Sequence, residues 1–200
     1  MSLDKDYATI FQALQEYVRP EEELDYENLG KLARSFVIKT VNQDENLWEL
    51  SSSNAQLHFI LSGAFGEYLV QGKNPQLIRF YRKEKFAFSE DMILYSARPA
   101  TYAKCLVEAR VASIPANVLM SYVQRSQEGV KLLTGLIELS MTEYRNTTYE
   151  MLQTSGTDRI NAALEQFPDL LNIIPRKELA DYLGISRASL FRSLKQIDIE

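Results

Sequence analysis

The sequence has a single cysteine, Cys105, and a single histidine, His58. One cysteine excludes an intrachain disulfide and any zinc or iron–sulfur site built from several thiolates, and a reducing, cytoplasmic setting fits such a chain. One histidine excludes a metalloenzyme built on a histidine cluster. His58 itself lies in QLHFIL, which reads as a strand, so a half-buried structural role is expected of it. No apolar run approaches the ~20 residues of a membrane-crossing helix, so no membrane partner is expected. The opening MSLDKDYATIF lacks the basic-then-apolar order of a secretory leader. A phosphate-binding glycine loop and a nucleophile beside a base are also missing, and the expectation is that the protein is not an enzyme.

What is present is an ordinary globular composition. The chain has 200 residues, 46% hydrophobic and 24% charged, enough for one large domain or for a medium and a small one, with a core that needs no crosslink. The formal net charge is -5, which by itself argues against nucleic acid. The acid is unevenly placed, however. It gathers in EEELDYE, 21–27, whereas Ile173 to Ile197 carries five basic residues (Arg176, Lys177, Arg187, Arg192, Lys195) against two acidic ones (Glu178, Asp181). The charge of a segment says more about its partner than the charge of the whole chain.

Residues 5–33 read as two short helices. Ile10, Phe11, Leu14 and Val18 recur at helical spacing up to Pro20, and LDYENLGKLARSF follows. From about Ser35 to Ile114 the texture changes to short β-branched and aromatic segments: FVIKTV, LWELSS, AQLHFILSG, FGEYLVQG, QLIRFYR, TYAKCLV and ARVASIP. Asn42, Asn54, Gly63, Gly72 with Asn74, and Pro99 separate them, and about seven strands at this spacing predict an antiparallel barrel or roll. FSEDMILYSA, 88–97, interrupts as a short helix with Ser89 as N-cap and Glu90 and Asp91 in its first turn.

From Pro115 to about Gln153 the pattern is helical, with a break near Ser126. Val130, Leu133, Ile137, Ser140, Tyr144, Thr147 and Met151 step by threes and fours, as a coiled-coil seam does. Leu132, Leu136 and Leu139 form a second stripe. Two apolar stripes imply two partners, here the roll and a second copy of the chain; the alternative is a helix buried in a monomer core.

TSGT, 154–157, reads as a polar hinge, and DRINAALEQF as a helix stopped by Pro168. RKELADYLGISRASLFRSLKQ, 176–196, follows. Pro175 suits a helix start. Leu179, Ala180 and Leu183 give one apolar face, Gly184 supplies a left-handed turn, Ile185 plugs it, and Ser186 caps a second helix that buries Leu190 and Leu194. Ala180, four residues before the glycine, lets the two helices cross closely. This is the helix-turn-helix plan. In it the second helix enters the major groove and presents Arg187, Ala188, Ser189 and Arg192 to base edges. An arginine donating twice to guanine gives about 1–3 kcal/mol of discrimination. Ser186 and Ser189 reach phosphate, as do Arg176 and Lys177 from the start of the first helix. The competing reading is a helical hairpin with solvated charges.

With roll, long helix and helix-turn-helix in this order, the whole chain resembles the Crp/Fnr family of bacterial transcription regulators. ILSGAFGEYLV is similar to the family's hairpin strand with its Ser-Gly turn, FSEDM resembles the Phe-Gly-Glu segment of its cyclic-nucleotide pocket, and TDRINAALEQFPDLLNIIPRKELADYLGISRASLFRSLKQ resembles its DNA-binding domain. The resemblance implies an α+β fold: an antiparallel β-roll (double-stranded β-helix) sensor at 1–114, a connector and dimerisation helix at 115–153, and a helix-turn-helix domain at 154–200. It implies a cytoplasmic homodimer on near-palindromic double-stranded DNA, with RNA polymerase as a further partner. Val130, Leu133, Ile137, Tyr144 and Met151 are then the dimer-helix residues. The family's Ser-Arg-x-x-x-x-Arg reading helix maps onto Ser186, Arg187 and Arg192. Ala188 stands where the family has glutamate, so a different operator is expected.

The pocket departs further from the family. Its ribose-binding Gly-Glu pair is Ser89–Glu90 here, and the Arg-Ser or Arg-Thr that holds the cyclic phosphate is represented by Arg98–Pro99–Ala100–Thr101. A buried phosphate without its cation is poorly solvated. Ser89, Glu90, Arg98 and Thr101 are thus candidates for an effector pocket in which a small molecule could sit but a cyclic nucleotide is not expected; no cofactor is assigned, and one histidine and one cysteine argue against haem and iron–sulfur sensing. The family's reading helix is followed by a β-hairpin wing, whereas this sequence runs only from Lys195 to Glu200, so contacts from a wing are expected to be missing. The alternative function is a ligand-sensing module whose helix-turn-helix contacts protein.

Overall fold

A computed structural model describes residues 2–18, 26–71, 74–153 and 155–196. Helices α1 (Ser2–Tyr17) and α2 (Tyr26–Arg34) form where helical spacing predicts them. Ile10 and Leu14 from the first, and Leu29 and Leu32 from the second, are buried. A bidentate pair from Arg110 to Asp6, at 2.6 and 3.3 Å, ties α1 to the last strand of the roll.

Six strands follow: β1 (Val37–Val41), β2 (Asn46–Trp48), β3 (Gln56–Gln71), β4 (Asn74–Arg82), β5 (Phe86–Ala87) and β6 (Thr101–Pro115). They pair antiparallel throughout, in the order β1-β6-β3-β4, with β2 also on β6 and β5 on β3. Two expectations are corrected here. AQLHFILSG and FGEYLVQG are one strand, β3, and TYAKCLV and ARVASIP are one strand, β6. Gly63 bends β3 instead of ending it. Its φ is +86° and a Cβ there would lie 2.5 Å from that of Ala109, while register shifts between Ile60 and Phe65 absorb the extra residues. The glycine marks a bulge, not a hairpin. Strand β5 was not anticipated.

Helix α3 (Glu90–Tyr95) occupies the predicted interruption. Ser89 has the extended backbone of an N-cap, but its hydroxyl makes no capping bond. Then come α4 (Ala116–Arg125) and α5 (Gln127–Gln153). Ser126 separates them because its hydroxyl satisfies both free ends: it donates to the Tyr122 carbonyl at 3.2 Å and accepts from the Gly129 amide at 3.0 Å. Helices α6 (Gly156–Gln166), α7 (Leu170–Ile173), α8 (Arg176–Tyr182) and α9 (Arg187–Gln196) are the last elements among the described residues.

Three apolar clusters hold these parts. Inside the roll are Trp48, Phe65, Tyr81, Met92, Cys105 and Val111. Between the roll and helices α1, α2, α4 and α5 lie Leu14, Phe36, Phe59, Leu119, Leu132 and Leu136. The third joins Tyr68, Leu77 and Leu106 of the strands to Ile160, Leu179 and Leu190 of the C-terminal helices. His58 is fully buried, not half-buried as expected. Its Nδ1 lies 2.8 Å from the Ser113 hydroxyl and its ring stacks on Trp48. Burial pulls its pKa down to about 3, so it is neutral near pH 7. Among the described residues no helix is long and apolar enough to cross a membrane, and no group of three side chains is placed to hold a metal ion.

Candidate functional site

The C-terminal helices are built from local signals. Ser155 and Asp158 form a reciprocal capping box at the start of α6. Pro175 precedes α8. Gly184, at φ +62°, makes the left-handed turn, and the Ile185 amide donates back to the Ala180 carbonyl at 3.0 Å. The Ser186 hydroxyl then accepts from the Ser189 amide at 3.0 Å and starts α9. Leu179, Ala180, Leu183, Leu190 and Leu194 are all buried, which fixes the two helices against each other. A contact of 3.1 Å between the hydroxyls of Thr157 and Ser193 ties α9 to α6 as well.

That packing decides which face of α9 is free. Arg187, Ala188 and Arg192 are exposed and Ser189 is half-buried. Arg192 lies along its own helix, donating to the Ala188 carbonyl and the Ser189 hydroxyl, each at 3.4 Å. Arg176 and Lys177 are exposed at the start of α8. Sequence reading passed over Phe191, which is 50% exposed beneath the Lys195 ammonium, 4.8 Å from its ring centroid. The signal was there: an aromatic four residues after Arg187 falls on the face that carries the arginines.

The roll interior holds a second set of charges. Glu67 of β3 and Arg79 of β4 are register partners, and both point inward. The Glu67 carboxylate accepts from the Tyr81 and Thr101 hydroxyls, each at 2.7 Å. Arg79 donates to the Tyr81 oxygen at 2.8 Å, to Glu90 at 3.2 Å and to the Ser140 hydroxyl of α5 at 3.2 Å. Its guanidinium carbon lies 3.8 Å from the centre of the Tyr144 ring. Ser140 also donates to Glu90. Burial pushes the Glu67 carboxyl up, against the pull of Arg79 and of the two hydroxyls. Burial disfavours the Arg79 cation, but Tyr81, Glu67 and Glu90 together outweigh it, so its pKa is raised and it stays charged.

Of the four candidates for an effector pocket, the structure brings three to this cluster. Ser89 is buried beside it at the start of α3, Glu90 bonds to Arg79, and Thr101 bonds to Glu67. Arg98 is not brought in. Ser96, at φ 50°, turns the chain outward, and the Asp91 carboxylate holds the Ala100 amide at 2.9 Å. Arg98 is therefore exposed, on an external cleft that also involves Met92, Ala116 and Met120. Glu67, Arg79 and Tyr81 were missed as site residues.

On α5, Leu132 and Leu136 are buried against the roll and its helices, and Leu139 is half-buried. Val130, Met141, Tyr144 and Leu152 are exposed and Ile137 is partly so. At 3.6 residues per turn these five fall within about 40° of one line along the helix. The seam read from the sequence is offset from that line. Leu133 leans onto the core and Ser140 is buried against Glu90, whereas Met141 and Leu152 belong to the outer stripe. The side chains of Thr147 and Met151 lie outside the described residues.

A mixed α+β fold of this kind, with an antiparallel roll followed by helices, is shared with known regulators. The c-di-GMP responsive global regulator CLP of Xanthomonas campestris superposes with a TM-score of 0.65 at 16% identity, over 86% of this chain and 91% of that one. FixK2 of Bradyrhizobium japonicum gives 0.67 at 14% identity, over 81% and 84%. A protein of Eubacterium rectale assigned to the Crp/Fnr family of transcriptional regulators gives 0.65 at 13% identity, over 88% and 84%. The fold is thus that of Crp/Fnr regulators and cyclic nucleotide-binding domain proteins. No protein-family model matches the sequence, and no curated protein matches it.

Proposed function

We propose that the chain is a homodimeric, sequence-specific DNA-binding regulator of transcription, a binding protein and not an enzyme. The observation that carries this reading is the pair Arg187 and Arg192, exposed on the outer face of a helix whose inner face is locked by the Gly184 turn and the Ser186 cap. Residues 1–114 serve as the roll domain, 115–153 as the connector and dimer helix, and 154–200 as the DNA reader. In the dimer, the apolar line of Val130, Ile137, Met141, Tyr144 and Leu152 on one α5 meets the same line on its partner. The helix has 27 residues, about 40 Å at 1.5 Å per residue, and reading helices must lie about 34 Å apart to enter successive major grooves. Arg187 and Arg192 donate to base edges; Ser186, Ser189, Arg176 and Lys177 hold phosphates. The protein works in the cytoplasm alongside RNA polymerase.

The test is selection of duplexes from a random pool by the purified protein, followed by titration. A near-palindromic site should emerge, bound by two chains. Replacement of Arg187 by alanine should lower specific affinity and leave thermal stability unchanged. Enrichment of no sequence, or unchanged discrimination in the variant, contradicts the assignment and leaves the protein-contact alternative.

A further inference from the structure

The polar cluster in the roll has a geometry that bears on how the proposed regulator is controlled. Arg79 sits on β4, in the roll, but two of its contacts, Ser140 and Tyr144, are on α5, the helix proposed to form the dimer. Its other partners, Glu67, Tyr81 and Glu90, come from β3, β4 and α3. One buried guanidinium therefore joins three parts of the roll to the middle of the long helix. Ser140 closes the ring from the other side by donating to Glu90. The two carboxylates and the cation are all satisfied from within the chain: Glu67 by Tyr81, Thr101 and Arg79, and Glu90 by Arg79 and Ser140. A small molecule entering between Glu90 and α5 would have to break the Arg79–Glu90, Arg79–Ser140 and Ser140–Glu90 contacts together. It would also leave carboxylates in a poorly solvated interior unless it carried a cation of its own.

We propose that Arg79 is a built-in tether that fixes α5 on the roll, so that the chain reaches its DNA-binding arrangement without a small-molecule effector. Arg79 is a positioning residue in this scheme, acting on the DNA-reading helices through α5 and not by touching DNA. The proposal rests on the DNA-binding reading above, and its test is arranged so that the two can fail separately. A ligand changes such a protein only by favouring one arrangement of α5 over another; here the favoured arrangement is selected by side chains already present.

The test uses the full chain. Backbone hydrogen exchange in residues 137–145 is compared between wild type and two variants, Arg79→Lys and Ser140→Ala. Ser140 is buried and lies off the proposed dimer line, and its replacement removes the Arg79–Ser140 and Ser140–Glu90 contacts while leaving Arg79 paired with Glu67 and Glu90, so it keeps its fold even if Arg79→Lys does not. Both variants should exchange about ten-fold faster in this segment, while exchange in α8 and α9 stays at the wild-type rate. Affinity for the selected duplex should drop about ten-fold in the variants, with non-specific DNA affinity unchanged. Wild type should bind that duplex equally well with and without millimolar cyclic AMP or cyclic GMP. Wild-type exchange rates in Ser140→Ala overturn the tether, and so does a ten-fold gain in wild-type DNA affinity on adding either nucleotide. If wild type selects no duplex at all, the DNA-binding reading falls, and the exchange comparison still decides the tether.

Discussion

Arginine stands in two opposite settings in this molecule. Arg79 is 7% exposed, paired with two carboxylates, bonded to a phenol and a serine, and covered by an aromatic ring. Arg187 and Arg192 stand in water on α9. A guanidinium taken out of water is tolerated only when charges and acceptors surround it, so Arg79 is committed to contacts inside the chain. A guanidinium left in water keeps its donors available to an incoming partner, at little consequence for folding. The difference explains why a chain with a formal charge of -5 can still present a basic face. Burial, more than residue type, separates an arginine committed to contacts within the chain from one left open to solvent.

Replacing Glu67 by alanine leaves Arg79 buried with one carboxylate instead of two, and should cost about 3–5 kcal/mol of stability in urea unfolding. A loss below about 1 kcal/mol would mean that the roll interior is wetter than described. His58 probes the same interior by pH. Its folded pKa, pulled down to about 3 by burial, lies below its ordinary value of 6.5. Above pH 6.5 neither state binds the proton and the stability is fully present. As pH falls, the unfolded chain takes up a proton that the folded chain refuses, and stability is lost. Between pH 6.5 and 5 this contribution amounts to about 2 kcal/mol. In His58→Gln that part of the pH slope should vanish; parallel slopes for the two proteins would refute it.

Arg187→Ala probes the exposed face of α9. Specific DNA affinity should fall by about 1–3 kcal/mol in fluorescence anisotropy, while the free energy of unfolding stays within about 0.5 kcal/mol of wild type. The smallest effect expected is that of Ser186→Ala. Losing the cap that accepts from the Ser189 amide should cost about 1 kcal/mol of stability. Calorimetric unfolding measures it, and an unchanged transition would show that the Ser186 cap contributes nothing to stability.

The contrast between inside and outside also tracks what the sequence made legible. The turn between α8 and α9 was legible because its signals are local: a glycine for a left-handed turn, a serine two residues on, leucines four apart. The break at Ser126 was legible for the same reason. The continuity of β3 was not, because a glycine in a bulge and a glycine in a hairpin look alike; only pairing with β6 along its length shows that β3 continues past Gly63. The polar cluster was not, because its members come from β3, β4, α3 and α5, which only the fold brings together. One trace of it was nonetheless present. Glu67 shares strand parity with Phe65, and Arg79 with Tyr81, so each charge falls on the inward face of its strand. The exposed line of α5 was legible in part: Val130, Ile137 and Tyr144 belong to both the seam and that line, whereas Met141 and Leu152 fall on it only once the helix is taken as straight, since a strict heptad drifts by roughly 20° per repeat.

The most direct measurement is the salt dependence of affinity for the selected duplex. A protein that holds phosphates with Arg176, Lys177 and the start of α9, in two copies, should show log affinity falling linearly with log salt, with a slope of about -0.9 for each phosphate neutralised. Two chains should be bound per duplex. A flat salt response, or one chain per duplex at saturation, would contradict a dimer presenting Arg187 and Arg192 to DNA.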